Sequence, residues 1–600
     1  MNQLISYDLE PVASLLEPLY DIRQCLHKRK AYLTADEYVR ACEEVEVGIA
    51  ESSKYQTINE LAVAIARQFT PFYSDVSVCL DRIHEIAGYG TLASCLSSLN
   101  IAEALFALEH CNEAGVANQN LVIGRGHIAP LFYAYRHVLN GMPLAFLAAV
   151  HDKVPAVVNK HYGFAYSMRH SLGEGVGIAL GRANANRDAR VICVAGDGEL
   201  NEGVSFEAIR LVGELQVNNL TLIVDNNGRG IDPLPGRLKP EYLSAYFSDV
   251  YEVDGHDTQA ISERIRQAEK EHRSTAIVCH TEKGVHSFKR ASHLSLMTST
   301  DDQQKSDLRK ATSCSRTAEI IEEVRSGVPV HVFTADLAAR FGLKSLPGYC
   351  NTGLAESALL TAAMGCPDDE LKFVLTDDKY YLNAIDVLHS ALIACRNLHV
   401  IAARKNGVWG GATYVSTVFS LLTEETVYEL TDPLDLLACI SRQKAQGGNG
   451  LYLMYDQSME RVFALREKYQ KLSKDIYIFQ PEFAAGSLIV SSESMAYEAF
   501  QVATSKRCTH IRFLSVRPDL ELAKEMLSNC DEIIVVEHNG GRFNLAEYIE
   551  SSLLVRVRKV FSDAYEWPTI ETFQADVAPR KLGALLADPP CALVNQTSHV

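Results

Sequence analysis

Two short polar turns, each placed directly after an apolar stretch, carry residue types that bind metal ions and phosphates. The tripeptide GDG at 196–198 follows VICVA at 191–195, and Asn227 follows the apolar stretch LTLIVDN at 220–226. Asp197 offers the hard oxygen that Mg²⁺ or Ca²⁺ requires, and the glycines let the backbone approach a diphosphate. Because a single helix connects neighbouring parallel strands, we expect Asp197 and Asn227 to meet at one sheet edge. Two plain turns are the alternative interpretation.

The predicted metal site uses oxygen ligands only. Asp197, the side chain of Asn227 and a backbone carbonyl near Arg229 would bind Mg²⁺. Two phosphate oxygens and a water would complete an octahedron, which is the geometry that Mg²⁺ prefers.

The elements that must position these turns have the pattern of parallel α/β sheets. Short β-branched runs alternate with helical patterns three times along the chain, which predicts an α/β protein of three doubly wound domains. Residues 1–80 are charged and helical in pattern, and we expect them to form an extension that packs on the body. The predicted boundaries are 1–80 for the extension, 81–310 for the first domain, 311–465 for the second and 466–600 for the third.

The composition favours a soluble cytoplasmic protein that binds small molecules. The chain has 600 residues, 47% hydrophobic residues and a net charge of −18, which disfavours nucleic acid or an anionic membrane as the main partner. The 15 cysteines are scattered singly, which is typical of reduced thiols in the cytosol. The first residues lack the basic segment of a signal peptide, and we expect no membrane span.

The segment from GDG to Asn227 resembles a known cofactor signature. GDGELNEGVSFEAIRLVGELQVNNLTLIVDNNGRGID at 196–232 is similar, over its whole length, to the thiamine-diphosphate signature of the transketolase family. Further segments that resemble this family are GRGH at 124–127, SLGEGVGIALGRA at 171–183, DGHD at 254–257, TEKGVHSF at 281–288, TADL at 334–337 and NTGLAESALLTAAMG at 351–365. The resemblance covers residues 81–585. It implies that the first domain binds the diphosphate, that the second binds the pyrimidine, and that the third is the C-terminal domain of this family.

The resemblance also implies roles for individual residues. Thiamine diphosphate and Mg²⁺ (or Ca²⁺) are the implied cofactors, and His127 would lie near the reacting carbon and the substrate. The implied cofactor-binding residues are Gly196, Asp197, Gly198, Glu199, Asn227, Ser171, Leu172, Gly173, Asp336 and Tyr380.

Glu356 is the residue that the resemblance assigns to cofactor activation. A buried carboxyl group beside the aminopyrimidine exchanges a proton with it, and burial raises the pKa of such a group into the useful range. Glu356 in NTGLAES would be this group, with Asp336 beside the thiazolium ring and Tyr380 stacked on the pyrimidine. The alternative is an ordinary glutamate in the first turn of a helix.

Three departures from the family pattern fall on residues that bind the sugar. Ala87-Gly88-Tyr89-Gly90 stands where the family has a histidine, Arg404-Lys405-Asn406 replaces an H-D pair, and Gly411–Val415 lacks the family's histidine. The donor pocket is therefore predicted to be altered. Candidate substrate-binding residues are His170, His293, Arg404, Lys405 and Tyr414, for which solvated surface or core packing is the alternative interpretation.

These observations predict a transferase that moves a two-carbon ketol unit from a ketose-type donor to an aldehyde acceptor. One alternative is a synthase that decarboxylates a 2-oxo acid, as deoxyxylulose phosphate synthase does, and another is an inactive scaffold. The resemblance further implies a homodimer whose active sites lie between subunits.

Overall fold

The computed structural model describes residues 13–55, 57–69, 72–87, 91–111, 120–168, 172–230, 238–284, 312–325, 327–404, 415–423, 426–482, 486–537 and 544–561. Contacts divide the chain into two compact units, Met1–Asp301 and Asp302–Val600. The predicted domain boundaries at 80, 310 and 465 stay a prediction.

The first unit is built on one parallel sheet of five strands. Their order is β1-β2-β3-β5-β4. Every residue of β2 and β3 is buried, as expected for central strands that are covered on both faces. The strands are β1 (Leu121–Ile123), β2 (Val191–Gly196), β3 (Leu220–Asn226), β4 (Asp249–Asp254) and β5 (Thr275–His280).

Helices make up most of the rest of this unit. They are α1 (Ala13–Arg29), α2 (Ala35–Glu51), α3 (Ile58–Ala66), α4 (Val76–Ala87), α5 (Leu92–Ser97), α6 (Leu99–Ala107), α7 (Ala129–Asn140), α8 (Leu144–Ala148), α9 (Glu174–Ala185), α10 (Gly203–Glu214), α11 (Pro240–Ser244) and α12 (Thr258–Glu271).

The N-terminal helices are attached to this unit by buried carboxylates. Glu37 in α2 accepts hydrogen bonds from the Tyr73 hydroxyl at 2.5 Å and from Arg82 Nε at 2.8 Å. Glu44, about two turns further along the same face of this helix, accepts a bond from the backbone N–H of Ala145 at 2.8 Å. The first 80 residues therefore include helices, as their sequence pattern predicts, and two acids of α2 bond to residues well beyond this helix.

The second unit contains two six-stranded sheets. The first sheet is wholly parallel, in the order β10-β11-β9-β8-β6-β7, and the second has the order β12-β13-β15-β14-β16-β17 with β13 antiparallel to both neighbours. The strands are β6 (Val330–Thr334), β7 (Cys350–Asn351), β8 (Leu371–Asp377), β9 (Leu398–Arg404), β10 (Val427–Leu430), β11 (Gly450–Tyr455), β12 (Gln470–Lys471), β13 (Ile476–Phe479), β14 (Ser487–Ser492), β15 (Thr509–Phe513), β16 (Glu532–Glu537) and β17 (Arg558–Phe561).

Helices accompany both sheets of the second unit. They are α13 (Thr317–Val324), α14 (Glu356–Met364), α15 (Ile385–Ala394), α16 (Val415–Leu422), α17 (Pro433–Gln446), α18 (Met459–Arg466), α19 (Ala496–Lys506), α20 (Lys524–Ser528) and α21 (Leu545–Leu553). Three parallel-dominated sheets with helices confirm the predicted α/β class. Within the described part of the chain, no helix is both long and apolar enough to cross a membrane.

Candidate active site

The two predicted metal-binding turns meet at one edge of the first sheet. Strands β2 and β3 are parallel neighbours, and Gly196 lies opposite Asp225 at their carboxyl ends. Asp197 and Asn227 continue directly from these ends. The backbone N–H of Asp197 donates to the carbonyl oxygen of Asp225 at 3.1 Å, so the two turns are also joined through the backbone.

Asp197 is buried, with 3% of its surface exposed. Its carboxylate accepts backbone hydrogen bonds from Gly198 at 2.9 Å and from Gly228 at 2.5 Å. Burial raises the pKa of this carboxyl group, whereas these amides and the charges of Arg125 and Lys283 act in the opposite direction. A cation would compensate the buried negative charge more fully than the amides do.

Asn227 presents its amide oxygen in the same turn. Its Nδ2 donates to the carboxylate of Asp225 at 3.1 Å, and its Oδ1 accepts the backbone N–H of Arg229 at 3.1 Å. An amide oxygen has two lone pairs, so Oδ1 can accept this bond and still bind a cation. Arg229 itself is exposed, and only its backbone carbonyl is predicted to bind the metal.

This donor set fits a hard cation of the Mg²⁺ type. It comprises one carboxylate and neutral amide or carbonyl oxygens, which leaves room for phosphate oxygens among the ligands. Among the described residues there is no group of three or more histidines, cysteines, aspartates or glutamates that could hold a metal ion.

Glycines bring backbone segments close together beside these turns. A Cβ on Gly175 would lie 2.2 Å from the Cα of Gly124, so α9 approaches the end of β1 closely. Gly173 has a φ of +92°, a conformation that favours glycine, and a Cβ there would lie 2.7 Å from the Cβ of Glu202. The start of α9 therefore packs closely on the end of β1 and on the turn that precedes α10.

Glu199 fixes the start of α9 to the end of β2. Its two carboxylate oxygens accept backbone N–H groups of Gly173 and Gly196, each at 3.1 Å. Burial raises its pKa to about 7. Because both oxygens already bond to backbone amides, Glu199 shapes the turn that was predicted to bind the cofactor. Leu172, which precedes Gly173, is half-buried.

His127 follows β1 at the same sheet edge. Its backbone carbonyl accepts the hydroxyl of Thr91 at 2.6 Å, which holds the loop in place. Burial lowers the pKa of the imidazole well below its ordinary value, and the charges of Arg125 and Lys283 lower it further. The lowered pKa favours the neutral imidazole, which has one N–H donor and one acceptor nitrogen.

In the second unit, Glu356 is the first residue of α14 and only 3% exposed. Burial raises the pKa of its carboxyl group to about 7, and the neighbouring charge of Asp336 contributes in the same direction. A carboxyl group with this pKa can hold or release a proton near neutral pH.

The residues around Glu356 are held by the side chain of Asn351. Its Oδ1 accepts the backbone N–H groups of Asp336 and Gly353, each at 3.0 Å. Asp336 adopts a φ of +55°, which is uncommon for a residue other than glycine and frequent at functional sites. Asn351 thus connects the loop after β6 to the loop before α14.

The two consecutive tyrosines after β8 differ in their environment. Tyr380, which was predicted to stack on a pyrimidine, is half-buried, and Lys379 Nζ lies 5.2 Å from its ring centroid. Tyr381 is fully buried and donates its hydroxyl to the carbonyl of Val374 at 2.8 Å. Burial raises the pKa of Tyr381 well above its ordinary value, and the charge of Glu356 raises it further. Tyr381 is therefore the tyrosine that shares an environment with Glu356.

Arg404, a predicted substrate-binding residue, lies at the end of β9 and is 9% exposed. Its Nε forms an ion pair with Asp378, and its Nη1 donates to the hydroxyl of Tyr455 at 3.2 Å. Its charge is thus balanced inside the protein. The other predicted substrate-binding residues, together with one predicted cofactor-binding residue, lie outside the described residues: His170, His293, Lys405, Tyr414 and Ser171.

Sequence reasoning missed three residues that organise these sites. Asp225 and Arg125 form a buried ion pair beside the metal turn, and Asn351 positions the loops around Glu356. An ionisable residue inside the apolar run LTLIVDN was the available signal for Asp225. Nothing in the local sequence indicated the partners of the other two.

The segment that carries the two metal-binding turns also matches a known cofactor-binding domain. Residues 178–330 match the family model described as "Transketolase, thiamine diphosphate binding domain". This match begins inside α9 and includes Asp197 and Asn227. The chain thus contains a segment that is similar to the thiamine diphosphate binding domain of the transketolase family, as its motifs predict.

Curated relatives support the same assignment. The chain is 30% identical over 226 residues to "Transketolase-like protein 2" of Homo sapiens, covering 34% of this chain and 36% of the relative. It is 32% identical over 219 residues to "Transketolase" of Mus musculus, covering 33% and 34%. The chain thus spans about a third of the length of these curated relatives.

A solved structure also resembles this chain. It is the transketolase of Campylobacter jejuni, with 17% identity, a TM-score of 0.36, and coverage of 81% of this chain and 94% of the other.

Proposed function

We propose that this protein is a thiamine-diphosphate- and Mg²⁺-dependent transferase of the transketolase type. It moves a two-carbon ketol unit from a ketose-type donor to an aldehyde acceptor. The observation that carries the proposal is the meeting of Asp197 and Asn227 at the carboxyl ends of adjacent parallel strands, inside the matched domain. This is where open α/β sheets bind ligands.

Each residue has a definite task in this proposal. Asp197, Asn227 and the carbonyl of Arg229 would bind Mg²⁺, Gly196 and Gly198 would let the backbone approach the diphosphate, and the backbone at 171–173 would touch the cofactor ring. When bound, thiamine diphosphate supplies the carbon nucleophile and the electron sink.

Two further residues handle protons. Glu356 would exchange a proton with the aminopyrimidine, and its pKa of about 7 supports that role. His127 would lie near the reacting carbon and assist proton transfers with the substrate, as the resemblance implies. Asp336 would lie beside the thiazolium ring and Tyr380 would stack on the pyrimidine, and the protein would act in the cytoplasm.

A product assay tests the reaction type. We expect the loaded enzyme to transfer a two-carbon unit from a ketose phosphate to an aldose phosphate, without release of carbon dioxide. Release of carbon dioxide from pyruvate, in the presence of an aldehyde, would instead support the 2-oxo acid synthase. Binding of the cofactor with no turnover of either donor class would support an inactive scaffold. The ion pair of Arg404 with Asp378 makes this arginine a weaker candidate for binding a donor carboxylate.

The same proposal includes a homodimer with active sites shared between subunits, as the resemblance to transketolases implies. Mixing Asp197→Ala protein with Glu356→Ala protein tests this point. If the two residues serve one site from different subunits, each mixed dimer contains one site with both defects and one with neither. Activity should then reappear after subunit exchange. No recovery, with exchange proven by mass-tagged subunits, would contradict shared sites.

A further inference from the structure

Asp225 is a charged residue at a position where charge is costly. It is the penultimate residue of β3, and its exposed fraction is 0%. A buried carboxylate persists only where hydrogen bonds and an opposite charge compensate for the lost hydration. The contacts of Asp225 therefore show what this residue does.

The carboxylate of Asp225 is saturated with donors, which come from four parts of the first unit. One oxygen accepts the hydroxyls of Ser97 at 2.7 Å and Ser98 at 2.6 Å and pairs with Arg125. The other oxygen accepts Nδ2 of Asn227 at 3.1 Å and the hydroxyl of Thr281. Every one of these partners donates, so both oxygens of Asp225 act as acceptors.

The bond to Asn227 determines which atom of that amide faces the metal turn. Because Nδ2 is held by Asp225, Oδ1 must point away from Asp225, and it accepts the backbone N–H of Arg229. The backbone carbonyl of Asp225 also accepts the N–H of Asp197 at 3.1 Å. Asp225 therefore contacts both residues whose side chains would bind the metal, on different atoms.

We propose that Asp225 is a positioning residue of the metal site. It orients the amide oxygen of Asn227 and fixes the spacing between the turns of Asp197 and Asn227, while Arg125 and the two serines hold its other oxygen. The inference rests on the proposed Mg²⁺ and thiamine diphosphate site. In an Asp225→Asn variant, an NH₂ group would replace one of the two carboxylate oxygens. It would face hydrogen-bond donors whichever oxygen it replaced. The amide of Asn227 then loses its fixed orientation.

The test is calorimetric titration of MgCl₂ into protein with saturating thiamine diphosphate. We expect Asp225→Asn to weaken Mg²⁺ binding by about 10–100-fold, which is typical when a group that orients a metal ligand is lost. The matched control is Glu37→Gln, which also changes a buried carboxylate paired with arginine in the same unit. This control should lower the unfolding temperature but keep Mg²⁺ affinity within about twofold, because it lies outside the site.

An Asp225→Asn protein that is folded and binds Mg²⁺ like wild type would overturn the inference. If that variant does not fold, Thr281→Val is the deciding variant. It removes one of the two donors to Oδ1 of Asp225, and Asn227 is the other donor. A loss of Mg²⁺ affinity of about threefold or more, near the value of one hydrogen bond, supports the inference, and unchanged affinity overturns it. Failure of the wild type itself to bind Mg²⁺ and thiamine diphosphate would refute the proposed function instead.

Discussion

The carboxyl-end edges of two parallel sheets, one in each unit, both carry buried acids, but these acids are of two kinds. In the first unit, Asp225 is paired with Arg125, and in the second, Asp378 is paired with Arg404. Asp197 and Glu356 lie near the same edges, and neither takes part in an ion pair among the described residues.

The comparison contrasts acids whose oxygens contact an arginine with acids that lack such a partner. The oxygens of the paired carboxylates are already used by the guanidinium group. Burial raises the pKa of Asp197 and of Glu356. We predict that Asp197 binds a cation and that Glu356 exchanges a proton, and that the paired acids act on stability.

The largest effect is expected for Glu356→Gln. The variant keeps the size and a hydrogen bond, so the cofactor should bind, but the side chain cannot exchange a proton. Hydrogen–deuterium exchange at the thiazolium carbon should slow by about 10²–10⁴-fold, the usual value of general acid-base catalysis. Quenched-flow exchange on the loaded protein measures it. If the folded, cofactor-loaded variant exchanges hydrogen at the wild-type rate, Glu356 is an ordinary residue of the first helical turn and the proposed role is wrong.

Asp378→Asn should mainly lower the stability of the protein, in contrast to Glu356→Gln, which should mainly slow proton exchange. The change leaves the guanidinium of Arg404 buried beside a neutral amide, which should lower the free energy of unfolding by roughly 3 kcal/mol. Urea denaturation of the apo protein measures this loss, with Glu356→Gln as the control that loses far less. A loss below about 1 kcal/mol, typical of an exposed ion pair, would show that the pair does not hold the chain.

Glu44 sharpens the comparison, because its pKa is raised without any functional turn nearby. Burial raises it to about 7 from 4.5. The folded state therefore binds a proton more tightly than the unfolded state, and this stabilisation is complete below about pH 4.5 and is lost as the pH rises to about 7.

Glu44→Gln should accordingly gain stability relative to wild type between pH 5 and pH 8, on the order of 2 kcal/mol. Thermal unfolding at both pH values measures this, and cofactor affinity should stay unchanged. Parallel pH profiles for the two proteins would contradict the raised pKa. Weakened cofactor binding would show that a raised pKa marks function even away from the sheet edges.

The sequence allowed prediction of the elements that carry the candidate site because their apolar runs are long and bounded by turns. The predicted run 220–226 coincides with β3, and 191–195 falls one residue short of β2. The strand Leu121–Ile123 has three residues, too few to show a period, and was not predicted. Asp197 and Asn227 were identified because each directly follows such a run.

The ion pairs could not be predicted, because their partners are distant in sequence. Arg125 and Asp225 are separated by 100 positions, and no local pattern links them. Arg404 was a candidate for substrate binding, with solvated surface as the alternative, and the structure shows it buried in an ion pair with Asp378, 26 positions earlier. Only the register of parallel strands brings such residues together. Patterns of a few residues can indicate where an acid lies but not whether it is neutralised.

Calorimetry of thiamine diphosphate binding to Asp197→Ala, with and without MgCl₂, tests the central claim most directly. Wild type should bind the cofactor when Mg²⁺ is present, and Asp197→Ala should lose this Mg²⁺-dependent binding because it lacks the single charged ligand. Glu37→Gln serves as the folded control with a lost buried charge and should bind like wild type. Near-normal, Mg²⁺-dependent affinity in Asp197→Ala would contradict the account.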